Sequence, residues 1–292
     1  MVRPAARLPR AATLLLTLLA CVPALATAQP VSGELRWAGD PEGGAPFVEA
    51  NPEHPDRLEG FDVEIATLLA RGLGLQPRFT LVGFASIDQS VARGDADIGL
   101  SGIEDTPARR ATMAVTVPYY RFREVLTVRT GDAGRFRSLV DLRGRRVGTL
   151  GGTIAYEILL RAEAGLTAVS YDDDVHPFED LVLGRVDAVL LDHVLAERRQ
   201  RTIDGLTVQP TSVAVGHYVG VLAPGNAALR DRCNDVLAGA MRDGSLERIF
   251  RAWNVWNDDQ PALHASVLAG NPIPPPAGVD TRSAPRAAPW EA

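Results

Sequence analysis

Apolar positions in this chain alternate between short unbroken runs and stretches in which they recur every three or four residues, and the two patterns take turns along most of its length. A short apolar run bounded by turn residues reads as a buried strand, and the helical spacing marks the covered face of a helix. Glu34–Ala38 is the first strand, ending at Gly39-Asp40, and the segment from there to Leu58 is a loop rich in proline, glycine and acid that can face a site. Phe61, Ile65, Leu68 and Leu69 make one helical face, stopped by Gly72 and Gly74. Arg78–Val82 reads as a strand, Ser86–Arg93 as a helix and Ile98–Leu100 as the next strand. After an extended run at Glu124–Arg129 the alternation returns, with strands at Arg146–Leu150, Val169–Tyr171 and Val186–Leu191 and helices at Ile154–Ala164, Val175–Leu183 and Val194–Arg201. Val213–Leu222 is a second extended run, the return crossing, and helices at Ala227–Met241 and Ser245–Trp253 follow. Two such sets joined by two crossings predict an α/β protein of two lobes with a cleft between them, in which ligands sit outside the carboxyl ends of the strands.

The stretch from Asp97 to Tyr120 lies at such a strand end. Its apolar run passes through Ser101 and Gly102 to Thr106-Pro107-Ala108-Arg109, where Thr106 is a good N-cap and Pro107 a good first helical residue. The turn offers backbone N–H groups to an anion, with Arg109 one turn on, and a carboxylate is the natural guest. An ordinary strand-to-helix connection with a solvated arginine has the same local pattern.

Composition narrows the classes. The chain has 292 residues, 46% hydrophobic and 23% charged, enough for two modest cores. Its net charge of -6 provides no basic stripe, so nucleic acid is not an expected partner. All 30 cationic side chains are arginine, which excludes a Schiff-base lysine and a P-loop lysine. Arg3, Arg7 and Arg10 before an apolar run from Ala11 to Ala20 read as an export signal over residues 1–28. Ala26-Thr27-Ala28 is a suitable cleavage site, with Ala24-Leu25-Ala26 close behind; Leu18-Leu19-Ala20-Cys21 also resembles a lipobox, in which Cys21 becomes a lipid anchor. The run is too short to span a bilayer comfortably, and no later stretch approaches about 18 apolar residues. Cys233 then stands alone, at a helical position among Leu229, Val236 and Leu237, and reads as a buried thiol.

The order of motifs resembles the bacterial extracellular solute-binding proteins of family 3, the polar amino-acid receptors that feed ABC importers. Seven motifs over about residues 33–256 carry the resemblance. They are Gly60-Phe61-Asp62-Val63, the run from Arg93 to Ile98, Ser101-Gly102 with Thr106 to Arg110, and Pro118-Tyr119-Tyr120, followed by the runs from Asp141 to Gly148, Gly184 to Val189 with Asp192 behind it, and Gly244 to Phe250. The resemblance implies a two-lobe periplasmic-binding-protein fold of type II, each lobe a mixed sheet flanked by helices, joined by two hinge crossings. It implies lobe 1 at 29–122 plus 216–258 and lobe 2 at 123–215; beyond them the Pro/Ala-rich composition, densest from Pro272 to Ala292, predicts a disordered tail at 259–292. In the family's pattern Arg109 forks onto the ligand carboxylate, Ser101, Gly102 and Thr153 offer hydroxyls and N–H groups, Asp192 accepts an ammonium, and Phe84 flanks the ligand. Asp40 belongs to the same expected set. The implied protein is a periplasmic monomer that hands an amino acid to an ABC permease, without cofactor or metal.

Two positions depart from that pattern: Glu104 stands where a Thr or Ser hydroxyl is usual, and Gly43-Gly44 where an aromatic lid is usual. A glutamate inside a closed cleft is costly unless paired. Glu104 either neutralises Arg109, faces a cationic group of the guest, or turns to solvent. With Asp40, Glu42 and Asp192 nearby, the pocket is expected to be acidic and the ligand to be a polar, in this reading cationic, amino acid. Two further readings stay open. Glu104 can be the cleft acid of a cyclohexadienyl or arogenate dehydratase-like enzyme, or the chain can be a sensor subunit.

The remaining constellations read as structure. Gly148 to Thr153 lacks the ending of a phosphate loop, Tyr171 to Asp174 reads as an acidic helix start rather than a calcium loop, and the histidines show no metal-binding spacing, although His217 lies where it can touch the cleft.

Overall fold

The computed structural model describes residues 33–41, 46–162 and 164–275. The expected export signal, Cys21, Glu42, Gly43-Gly44 and the chain beyond residue 275 lie outside the described residues.

The first sheet is built from β1 (Glu34–Gly39), β4 (Gln76–Leu81), β5 (Ile98–Gly99), β6 (Ala114–Val115) and β12 (Val221–Leu222), while β2 (Glu49–Ala50) and β3 (Leu58–Glu59) form a small separate hairpin. Its order is β4-β1-β5-β12-β6. β1 runs parallel to both β4 and β5, and β12 is antiparallel to its two neighbours. The second sheet is ordered β11-β7-β10-β8-β9, from β7 (Tyr120–Arg129), β8 (Arg146–Leu150), β9 (Thr167–Tyr171), β10 (Ala188–Asp192) and β11 (Leu206–Tyr218). Its β9, β8 and β10 are mutually parallel, and β7 and β11 are antiparallel additions.

Helices α1 (Phe61–Leu73), α2 (Ile87–Arg93) and α3 (Pro107–Thr112) belong to the first sheet, and α4 (Ile154–Arg161), α5 (His176–Val182) and α6 (His193–Thr202) to the second. The chain then continues through α7 (Ala227–Arg242), α8 (Ser245–Ala252) and α9 (Asp259–Leu268). Both mixed sheets follow from the alternation of apolar runs and helical spacing, because a strand buried on both faces needs helices on either side.

The two crossings are β7 and β11, which pair with each other from Tyr120↔Tyr218 to Arg129↔Leu206. Where they meet the first sheet, Tyr120, Phe122 and Tyr218 stack, with ring centroids 4.6 Å apart for Phe122–Tyr218 and 5.5 Å for Tyr120–Tyr218. These rings are 1% exposed or less, so the crossings leave the first sheet from a rigid base. The return crossing is longer than its apolar run suggests, because β11 begins at Leu206 and carries a register shift between Val208 and Ser212.

The expectation of a disordered tail from residue 259 is corrected over its first turns. α9 packs there: the Gln260 side chain accepts from the Arg121 N–H and donates to the Arg121 carbonyl, both at 2.9 Å, and Asp259 pairs with Arg123 at 2.7 Å. The Gln260 contacts mimic one rung of a sheet at the start of β7, a tertiary device with no local sequence signature. Cys233 is fully buried, and burial pushes its thiol up to about 11. No helix among the described residues is long and apolar enough to cross a membrane.

Candidate functional site

Parallel strands in both sheets end at one place. β1 ends at Gly39 and is followed by Asp40, β4 leads to Phe84, and β5 leads to Ser101 and Gly102. From the second sheet β8 leads to Thr153, β9 to Asp172-Asp173-Asp174, and β10 ends on Asp192. Asp40, Phe84, Ser101, Gly102, Glu104, Thr153 and Asp192 all line one cavity, together with Phe47, Leu150, Asp172, Asp173, Asp174, Leu191 and Leu195.

The wall on the first sheet is organised by Asp62. Its Oδ2 accepts from the N–H groups of Ser101 at 2.9 Å and Gly102 at 2.7 Å, and its Oδ1 accepts from the Tyr119 hydroxyl at 2.9 Å. Burial pushes the Asp62 carboxyl up to about 6 in spite of these three donors. The turn it holds is strained: Ser101 has φ 116°, a conformation that side-chain-bearing residues rarely adopt.

Glu104 crosses the cavity. It follows the Ser101–Gly102 turn of the first sheet, yet its Oε2 accepts from the N–H of Ile154, the first residue of α4 on the second sheet, at 2.7 Å. It is 3% exposed. Burial raises its carboxyl to about 8; Arg109 and the Ile154 N–H work against that rise and Asp192 adds to it. Burial likewise raises Asp192 to about 6 and Asp174 to about 7, the latter opposed by Arg199 at 3.6 Å. Behind them Glu124 of β7 is fully buried and raised well above its usual range, first by burial and then by Glu104 and Asp192.

Arg109 does not stand on this wall as a carboxylate clamp. Thr106 and Pro107 do start α3, with the Thr106 hydroxyl accepting from the Arg109 N–H at 3.2 Å. The Arg109 guanidinium, however, is 11% exposed, donates from Nε to Asp88 at 2.9 Å and from Nη1 to the Glu104 carbonyl at 2.8 Å, and is not among the residues lining the cavity. It backs the loop that carries Glu104. His217 is absent from the lining as well; its carbonyl accepts from the Asp105 N–H at 2.8 Å.

Asp172-Asp173-Asp174 and Phe47 escaped the sequence reading of the site. Asp173 does cap α5, accepting from the Val175 and His176 N–H groups at 2.7 and 2.9 Å, so the helix-start reading explains that residue. Its neighbours face the cavity because β9 ends beside β8 at the same level, a consequence of sheet order. No cluster able to hold a metal ion occurs among the described residues.

Curated relatives and solved structures agree with this architecture. The chain is 28% identical over 203 residues to ABC transporter arginine-binding protein 1 of Escherichia coli (strain K12), covering 68% of this chain and 82% of that one. It is 28% identical over 198 residues to the L-cystine-binding protein TcyJ of the same organism, covering 68% and 74%. An ancestral arginine-binding protein bound to arginine superposes with a TM-score of 0.70 at 26% identity, over 76% of this chain and 99% of that one. The family model for bacterial extracellular solute-binding proteins, family 3, matches residues 38–255, and the chain belongs to that family.

Proposed function

We propose that this protein is the receptor of an ABC importer and captures a small cation of the amino-acid class between two lobes, 29–122 plus 216–258 and 123–215. The carrying observation is the charge of the cavity. Six of its lining residues are Asp or Glu, and none is Arg, Lys or His. Asp173 is occupied as a cap and Asp174 faces Arg199, but Glu104 and Asp192 meet across the space with no basic side chain on the wall. A cation entering there meets carboxylates from both lobes, so only the closed state engages them together. The names of the arginine-binding relatives support this class. We place the protein in the periplasm as a monomer, released by cleavage near Ala28 or tethered at Cys21, with the permease as its partner.

Calorimetric titration with arginine, lysine, ornithine and glutamate tests the reading. Binding of one or more of the cations supports it, and binding of glutamate alone overturns it.

The dehydratase-like alternative draws on one observation, the raised carboxyl of Glu104, since a general acid must keep its proton at neutral pH. An acidic wall opposes an anionic substrate, which favours the receptor. Incubation with prephenate or arogenate, followed by absorbance of the aromatic product, separates the two.

A further inference from the structure

We infer that the ligand of this cavity is an amine or guanidine that carries no carboxylate of its own, because the Glu104 carboxyl already occupies the donor that a ligand carboxylate needs. The inference rests on the cationic reading of the site and narrows it.

The helix-start and turn donors that would meet a guest anion are engaged within the chain. At the N-terminus of α4 the Ile154 N–H donates to Glu104 at 2.7 Å and the Tyr156 N–H to the Thr153 hydroxyl at 3.2 Å. The Thr153 hydroxyl itself donates to the Leu150 carbonyl at 2.7 Å. On the facing wall the N–H groups of Ser101 and Gly102 donate to Asp62, and that of Phe84 to Asp40 at 2.7 Å. The Arg109 guanidinium is turned to Asp88 and the Glu104 carbonyl. A helix N-terminus and an arginine are the usual means of stabilising a guest anion, and here both serve the chain's own carboxylate. A ligand carboxylate placed against this wall meets like charge and filled donors, which costs binding heavily in a buried site.

Acceptors, by contrast, remain. Both oxygens of Asp174, 1% exposed and on the cavity wall, lack a hydrogen-bond partner, the Arg199 guanidinium staying at 3.6 Å. Asp192 accepts from the Leu195 N–H at 3.0 Å and has the Val194 N–H and the Tyr218 hydroxyl beside it, so it offers a cation its charge. An ammonium or guanidinium presents donors only, and so complements this set. Phe47, Phe84, Leu150, Leu191 and Leu195 supply an apolar sheath for the methylenes between two cationic ends.

The test is calorimetric titration of the full mature chain with matched pairs that differ only by the carboxylate: agmatine against arginine, cadaverine against lysine, putrescine against ornithine. The decarboxylated member of at least one pair is expected to bind tenfold or more tighter, and Glu104→Ser to erase that preference by freeing the Ile154 N–H for a ligand carboxylate. Glu104→Gln, which keeps the shape, cannot ionise against a bound cation and is expected to weaken agmatine at least tenfold; it serves should the serine variant fail to fold. Amino acids that bind as tightly as their amines overturn the inference and leave the cationic reading standing. Silence from all six compounds overturns both.

Discussion

The Glu104 carboxyl and the Ile154 N–H meet at 2.7 Å, and they belong to opposite walls of the cavity. One buried hydrogen bond therefore ties the first sheet to the start of α4. The Glu104 carboxyl keeps its proton up to about 8, so this is a neutral hydrogen bond, contributing about 0.5–1.5 kcal/mol, enough to shift a two-state opening equilibrium severalfold. Glu104→Ala is expected to open the ligand-free protein. Small-angle X-ray scattering checks this through a larger radius of gyration without ligand; superimposable curves for the two proteins refute a latch at this contact.

Stability of the ligand-free protein should fall as pH rises from about 6.5 to 8.5. Glu104 and Asp174 hold protons in the folded state up to about 8 and about 7, above the ordinary carboxylate range. Glu104 faces Arg109 of α3, Asp192 of β10, Glu124 of β7 and Tyr218 of β11; Asp174 faces Asp173, Asp192 and Arg199 of α6. A group whose pKa is raised by folding stabilises the folded chain fully below its unfolded pKa, and that contribution is lost as pH climbs through the folded value. Buried His193 and His217, lowered to about 4, act in the opposite direction, but only below their unfolded value near 6.5. Above it the carboxylates dominate among these groups. A bound cation favours their ionised forms, so ligand affinity should rise over the same window with protons released. Melting curves at pH 6.5, 7.5 and 8.5, with and without agmatine, decide it, and a ligand-free Tm that rises with pH sinks the argument.

The fold was legible because burial on both faces of a strand leaves continuous apolar runs, and β8 matches its run from Arg146 to Leu150 residue for residue. The cavity wall was legible where polar residues sit at strand ends, as with Asp40, Ser101, Thr153 and Asp192. Asp174 was not, since only the order β8-β9 places it beside Thr153, and sheet order is a long-range property. Arg109 was legible as a helix-start residue, but the direction of its guanidinium was not. Its N-cap and helix start are local, whereas Asp88, which turns its guanidinium away, lies 21 positions upstream.

Asp62→Ala should cost about 3–5 kcal/mol, since it strands three buried donors at about 1–3 kcal/mol each, partly offset by removal of a desolvated carboxylate. Ser101 at φ 116° has no other named restraint on its N–H, so the turn should loosen as well. Asp62→Asn retains an acceptor for the two N–H groups and an amide that can donate to the Tyr119 oxygen, and is expected to lose less than half as much. Chemical denaturation of the three proteins gives the comparison, and equal losses for Ala and Asn contradict the assigned role.

Gly102→Ala probes the cavity without touching a charge. Gly102 has φ +65°, and a Cβ there falls 2.7 Å from the Phe47 ring. The left-handed backbone alone costs about 1–2 kcal/mol for a residue with a side chain. The ring has little room to retreat, because it packs edge-on against Phe61 at 4.9 Å and Tyr218 at 5.3 Å. Relief has to come by displacing Phe47 along the wall it shares with Glu104 and Asp192. Affinity for agmatine should therefore drop at least tenfold, while Tm falls by only a few degrees. An unchanged titration curve with a lowered Tm means that Phe47 shapes the core and not the ligand space.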